Sequence, residues 1–464
     1  MRIALSVVSL VLLSFCLALG QSWSFYYSGM DRLSFVDFNS SGFGARSRGM
    51  GGVYMAINNE AYASFENPAT MVFINKSLMS VELINSMDKH TGLSEPRPLN
   101  TLATRFDIDT IDYKNSHTKL IQAGAVAPFV YFGRDWWVGG GFHTVNDFNL
   151  TYKMPVDPNN PDNYDREKSL DALNLAIAAK PLDYLAIGVN LNYFIRRYEE
   201  NFYAWDLVLY DTSTTNLFDY HYRDKSSFSG ANFDIGIMAE YNVLTFGAVV
   251  RTPYTLTQNV FRLMAQVDNY GQDLGSLDRM TLKYKIPLSY GAGIAAKPID
   301  NLTLAADIDV KPYSNAKKTL DLESINASFF PTYPEYVDIN AEWNDLTQFR
   351  IGGEYVFKTG FAQIPLRAGL HNMPNLQFPS KITADSSAFD SSSYYHYQYE
   401  YTDKVNPLII SFGAGIKFEK IWFDAAYEFG SAKYNQTVEV PGALSNKQFE
   451  FKYSRIYLSA SMLF

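Results

Sequence analysis

The sequence predicts an all-β fold: a 14-stranded antiparallel transmembrane β-barrel with an N-terminal hatch of short helices plugging the lumen. Three observations carry that prediction. Alternating apolar segments come in pairs joined by short turns; aromatic residues are abundant although no long apolar run follows residue 20; and the final segment alternates up to Phe464. A period of two puts successive side chains on opposite faces of a strand, so such a segment has one apolar and one wet face.

The first residues set the compartment. Arg2 is followed by an apolar run from Ile3 to Leu19, and Ala18-Leu19-Gly20 precedes Gln21. Small residues at these positions predict a signal peptide over 1–20, cleaved near Gly20. Cys16 is the single cysteine and lies inside it, preceded by Phe15 rather than a small residue, which argues against a lipoprotein anchor. The remaining chain needs no disulfide and binds no metal through thiolate. Loss of Arg2 takes the formal charge from -9 to -10, which disfavours a nucleic-acid role. With 33 Tyr and 33 Phe, aromatic residues make up 16% of the chain, yet the mean hydropathy is only -0.14. A transmembrane barrel reconciles the two, because alternate residues face lipid and aromatic girdles mark both interfaces.

The strands are read from the alternation. In 288–310, Leu288, Tyr290, Ala292, Ile294 and Ala296 point outward, residues 297–301 turn, and Leu302, Leu304, Ala306, Ile308 and Val310 point outward on return. The inward row there holds Gly291, Gly293, Thr303, Ala305, Asp307 and Asp309, groups that suit a wet interior. The same pattern pairs 121–131 with 136–146, 173–179 with 185–195, 233–241 with 244–252, 349–357 with 364–370, and 408–418 with 421–429. These six hairpins, an opening strand at 77–84 and a closing one at 453–464 give fourteen, an even number as bacterial barrels usually have. Between hairpins lie polar connections at 86–118, 147–169, 199–229, 257–283, 313–345, 373–406 and 433–451, read as extracellular loops, and the Pro/Asn/Asp run 157–165 and the Tyr/Ser/Asp stretch 385–403 have loop composition.

A barrel of this size leaks unless plugged. Residues 21–75 precede the first strand without alternating, which divides the chain into a signal peptide (1–20), a hatch (21–75) and a barrel (76–464). The glycine-dense run 42–52 allows tight turns and close approach. It lacks the Lys-Ser/Thr pair of a phosphate-binding loop. Arg46 and Arg48 are expected to pair with lumenal acids such as Asp307, Asp309 or Asp424. A helix is expected over 54–66, and Asn67 with Pro68 is expected to start a second one at 69–73.

The hatch motif Gly44, Arg46, Gly49, Met50, Gly51, Gly52 with Asn67, Pro68 and Ala69 resembles the N-terminal hatch of the FadL/TodX outer-membrane transport family. Looser likeness runs through 246–256, 287–298 and 411–416. The resemblance implies a hatch-plugged fourteen-stranded barrel in the outer membrane of a Gram-negative-type bacterium, taking up hydrophobic small molecules such as long-chain fatty acids or aromatic hydrocarbons. No enzyme activity, cofactor or metal is expected. The resemblance also implies a sideways exit where the third strand kinks, for which Gly139, Gly140 and Gly141 are the candidates, since glycine permits bulges. The alternative is that the three make room for a packed hatch. PorV-type components of a protein-secretion system share these motifs, so the second reading is a scaffold or secretion partner without transport.

Inward-facing Arg196, Arg251 and Arg367 are candidates to hold a ligand head group, against pairing with lumenal acids. Trp136 and Trp137 are expected in the interfacial girdle, and Pro128 in the second strand either widens an opening or ends the strand. Expected partners are outer-membrane lipid, a hydrophobic ligand, and the barrel-assembly machinery through the last strand ending at Phe464. The six histidines are dispersed and no hydrolase or metal motif is present.

Overall fold

Every strand of the wall is hydrogen-bonded to the next in chain order, and the last to the first. The computed structural model describes residues 42–57, 60–98, 106–147, 150–154, 162–167, 169–205, 219–267, 276–321, 336–340, 343–374, 379–385, 396–401, 405–440 and 443–464. The signal peptide and 21–41 lie outside these residues, as does most of 157–165 and 385–403. The staves are β1 (Leu78–Pro98), β2 (Phe106–Tyr131), β3 (Arg134–Asp147, then Leu150–Met154), β4 (Asp162–Glu167, Ser169–Leu182), β5 (Leu185–Trp205), β6 (Asp219–Tyr241) and β7 (Leu244–Arg251, Tyr254–Val267). They continue as β8 (Ser276–Ile286, Ser289–Ile299), β9 (Leu302–Lys311, Lys317–Asp321), β10 (Tyr336–Asn340, Leu346–Lys358), β11 (Gln363–Asn372, Pro379–Asp385), β12 (His396–Tyr401, Leu408–Lys417), β13 (Ile421–Val440) and β14 (Ala443–Leu463). That makes a closed 14-strand antiparallel barrel. Closure runs through β1 and β14, from Leu78 opposite Leu463 up to Thr91 opposite Glu450. The terminal Phe464 N–H donates to the Ser77 carbonyl.

The expected alternation holds in the wall. Leu173, Leu175 and Ile177 are exposed while Ala172, Asn174, Ala176 and Ala178 are buried. Exposed Ile, Leu, Val, Phe and Tyr of neighbouring staves form a continuous apolar belt, a surface that water would penalise and lipid does not. Turns of two to four residues join the staves at one end. At Phe132-Gly133 both residues have positive φ, 51° and 68°, the geometry that matches strand twist in a tight hairpin.

At the other end the strands run on. β1 has 21 residues and β2 has 26, where roughly 9–11 suffice to cross a bilayer. The polar stretches expected as loops, 86–118 first among them, are therefore largely strand. Outside lipid the side chains no longer need to alternate, but the backbone still needs its hydrogen bonds, so pairing outlasts the pattern that revealed it. Among the described residues one departure from antiparallel pairing occurs there: Lys381, Ile382 and Thr383 lie parallel to Thr437, Val438 and Glu439.

Hatch residues 42–57 and 60–75 fill the bore. Ala45, Met50, Val53, Met55, Ala61, Tyr62, Ala63, Ala69 and Met71 are fully buried. The helix expected over 54–66 is absent. An unforeseen helix, Gly44–Gly49, comes earlier, and a 3-10 turn, Glu60–Ser64, occupies part of the expected span. The Gly44–Gly49 helix ends in a Schellman arrangement, with Gly52 N–H on the Ser47 carbonyl (2.8 Å) and Gly51 N–H on the Arg48 carbonyl (3.2 Å). Gly51 takes the left-handed position, φ 71°, where a side chain would be strained. The second expected helix is present as the 3-10 helix Pro68–Phe73. Asn67 caps it by accepting from Ala69 N–H at 3.1 Å, with Pro68 in the first turn.

The wall receives the hatch backbone through missing side chains. A Cβ at Gly247 on β7 would fall on the Met55 carbonyl, and one at Gly352 on β10 would fall on that of Met50. A Gly247→Val substitution should leave the barrel folded and unseat the hatch. Planar-bilayer recording should then show a larger conductance than the unaltered protein; equal conductance would mean the hatch tolerates the side chain.

Candidate functional site

Charge fastens one side of the hatch. Arg46 grips Glu354 of β10 with two prongs, Nε to Oε2 at 3.0 Å and Nη2 to Oε1 at 2.7 Å. Arg367 of β11 donates Nε to the same carboxylate at 2.6 Å and Nη1 to Asp424 of β13. Arg48 lies 3.8 Å from Glu428 of β13, its guanidinium 4.7 Å above the Tyr457 ring of β14. Asp307 of β9 accepts the N–H groups of Tyr54 (2.6 Å) and Met55 (3.0 Å). Asp309 accepts from the Tyr54 hydroxyl (3.1 Å) and from Arg251 of β7 (3.0 Å).

The expected partners of the hatch arginines are thus corrected: Arg46 and Arg48 take Glu354 and Glu428, while Asp307 and Asp309 hold the next turn of the hatch. Arg251 and Arg367, the head-group candidates, are engaged in this network, and the Arg367 side chain has no exposed surface. Arg196 sits in β5 opposite Phe228, and its side chain lies outside the described residues. Among the motif residues, Gly49 packs on Gly413 of β12, and Met50 is enclosed at 0% exposure. Gly44 opens the first helix at φ 85°, and Gly52 follows it at φ 74°.

Glu60 is fixed at a weaker corner. One oxygen accepts from Ser461 at 2.7 Å and the other lies 3.7 Å from Lys417. Burial raises its carboxyl above the ordinary value and Asp424 adds to the rise, against Lys417 and the Ser461 hydroxyl. The folded state therefore binds the proton more readily than the unfolded one, so this group's contribution to stability falls as pH rises through the ordinary carboxylate range.

Neutral hydrogen bonds and rings hold the other side. Asn67 donates to the Met55 carbonyl (2.7 Å) and to that of Ile237 on β6 (3.2 Å). Asn174 of β4 donates to the Ser64 carbonyl (3.0 Å). Trp137 faces inward rather than joining a girdle, and its Nε1 donates to the Ile74 carbonyl at 2.7 Å.

This neutral side faces a slot in the wall. β2 and β3 pair from Tyr131 opposite Arg134 up to Gln122 opposite His143, and again where Lys114 meets Thr151 and Tyr113 meets Tyr152. In between, residues 118–121 and 144–147 make no pairing with each other among the described residues. β2 stays with β1 there, Leu120 opposite Leu83, and β3 stays with β4, Thr144 opposite Asp171. Each ladder slips by one residue at the slot, which leaves Ile121 and Val145 out of register. Such bulges bend a strand and re-aim its side chains, and here they part the two staves.

Gly139, Gly140 and Gly141 lie just below the slot and not in it. All three are paired on both sides, to Val126, Ala125 and Gly124 of β2 and to Ala176, Leu175 and Asn174 of β4. A Cβ at Gly139 would press on Met71 and Ser64 of the hatch, and one at Gly141 on the Ala123 carbonyl. They give room to packed neighbours. Pro128 remains within the ladder, opposite Trp137. At the edge of the slot stands His143, the last β3 residue paired with β2 before the two part, its ring 4.8 Å from those of both Phe43 and Phe65 in the hatch.

Two substitutions probe the fastening. Arg367→Leu strands Asp424 as a buried charge and leaves Glu354 to Arg46 alone, which costs about 3–5 kcal/mol and should lower the urea midpoint correspondingly. An unchanged midpoint would mean that this network does not hold the fold. Glu60→Gln should flatten the decline in midpoint between acidic and neutral pH; a profile identical to that of the unaltered protein would discount Glu60.

No family model matches the sequence, and no curated protein does either. Solved structures do. A FadL homologue of Pseudomonas aeruginosa superposes with a TM-score of 0.62 at 15% identity, covering 90% of this chain and 97% of the other. The toluene transporter TodX of P. putida gives 0.59 at 14%, covering 91% and 99%. The toluene transporter TbuX of Ralstonia pickettii gives 0.57 at 13%, covering 92% and 100%. The chain has the fold of these FadL and TodX proteins, a hatch-plugged barrel of fourteen strands.

Proposed function

We propose that the protein is an outer-membrane channel for uptake of hydrophobic small molecules, fatty acids or aromatic hydrocarbons, that leave sideways through the slot between β2 and β3. The parted wall at hatch height carries this reading. An apolar molecule passing through the slot into the membrane never enters bulk water, so its transfer is downhill throughout. The hatch blocks the straight path, since its side chains and those of the inward rows are mutually buried. The solved structures of the same fold bear the names of a FadL homologue and of toluene transporters, which supports a hydrophobic cargo. Such passage is binding and diffusion and calls for no catalysis. The apolar belt would sit in outer-membrane lipid after signal-peptide removal, with β14 as the segment recognised by the barrel-assembly machinery.

Bridging the slot tests the route. Cysteines at Leu120 and Val145, joined by a reducible bis-maleimide, should cut uptake of a labelled fatty acid or toluene into liposomes by at least about tenfold, and reduction should restore it. Undiminished uptake with the bridge in place rules the slot out as the exit.

A further inference from the structure

The slot's inner mouth is lined differently from the rest of the hatch seat. His143 is the last β3 residue paired with β2 before the two part. Its ring stacks on Phe65 at an interplanar angle of 28° and meets Phe43 edge-on at 60°, while Phe43 and Phe65 meet each other at 5.9 Å and 87°. Phe43 and Phe65 lie 22 residues apart in the hatch sequence and converge on this one wall residue. Ring contacts of this kind add only about 0.5–1.5 kcal/mol each beyond the burial of their area, so an apolar guest that restores the burial can replace one ring with little loss. The ion pairs to β10, β11 and β13 cannot be exchanged that way.

Within the stack His143 is only 6% exposed, and its Nδ1 is buried without a hydrogen-bond partner among the described residues. A buried polar atom left unpaired is costly and calls for an explanation. We propose that Phe43, His143 and Phe65 form the inner gate of the slot, and that Nδ1 of His143 takes the single hydrogen-bonding group of an otherwise apolar ligand. This rests on the slot being the exit. The ligand class is a hydrophobe with one polar end, such as an alkylphenol or a protonated fatty acid: the gate rings accept the apolar body while the imidazole meets the hydroxyl. A charged head group would gain nothing, because no cation is part of the stack.

The test uses the full-length protein in detergent and two probes, 4-hexylphenol and its methyl ether, which differ in the hydroxyl proton. The phenol should bind about fivefold tighter than the ether, the size of one net hydrogen bond. His143→Phe keeps the ring stack and removes Nδ1, and should bring the ratio to about one by weakening the phenol alone. Should that variant fail to fold, His143→Gln, which keeps a hydrogen-bonding amide, should retain a preference for the phenol. Phe65→Ala should speed entry of both probes into liposomes. A ratio near one in the unaltered protein, or the same ratio in His143→Phe, overturns the hydrogen-bond assignment and leaves the uptake reading standing. Entry unchanged by Phe65→Ala overturns the gate. If neither probe binds or enters, the uptake reading falls and this inference with it.

Discussion

Glu354 is where hatch and wall become one structure. Its two oxygens accept three N–H groups from two guanidiniums, Arg46 of the hatch and Arg367 of β11, and Arg367 carries the link on to Asp424 of β13. A carboxylate in that position would be intolerable alone, and the arginines equally so without it. Each charge is therefore retained by the others, and the register of β10, β11 and β13 is fixed to the hatch. The glycines Gly247 and Gly352 then let the hatch backbone settle against a wall already aligned by charge. Packing follows from the ionic alignment, because the apolar hatch residues Met50 and Val53 lie between the Arg46 anchor and the Asp307 anchor on Tyr54 and Met55.

Much of the fold was legible because lipid imposes a strict rule. A membrane stave must be apolar on alternate positions, and that rule identified every stave, the short turns and the hatch as a non-alternating segment. It says nothing once the strands leave lipid, so their outer halves read as loops. Alternation also gives the face of a residue but not its height. Which inward residues of neighbouring strands stand level depends on the stagger of the barrel, and no local pattern records it. Hence Arg46 and Arg48 were expected on Asp307, Asp309 or Asp424, whereas the staves bring Glu354 and Glu428 to their level.

The slot was hidden for a related reason. Glycine is a local signal of weak packing, and it pointed to 139–141, but those residues answer to what lies beside them, Met71, Ser64 and the Ala123 carbonyl. The parting of β2 from β3 arises from two one-residue slips in different ladders, at Ile121 against β1 and at Val145 against β4. Neither slip has a composition of its own. Each becomes visible only when both partners of a strand are known.

For the cargo proposed above, the uneven fastening of the hatch favours one of two routes. Passage straight down the bore would require parting Arg46 from Glu354 and Tyr54 from Asp307, each a buried charged contact that costs several kcal/mol to break, about 3–5 for a stranded ion. Passage through the slot would displace ring contacts worth about 0.5–1.5 kcal/mol each, and an apolar guest restores much of that by occupying the vacated face. The hatch need not leave its seat for the second route. On the proposed function it would stay anchored by β9–β13 while its aromatic edge yielded at β2 and β3, so that a barrel wide enough to leak would stay stoppered against water-soluble molecules and still pass hydrophobic ones sideways.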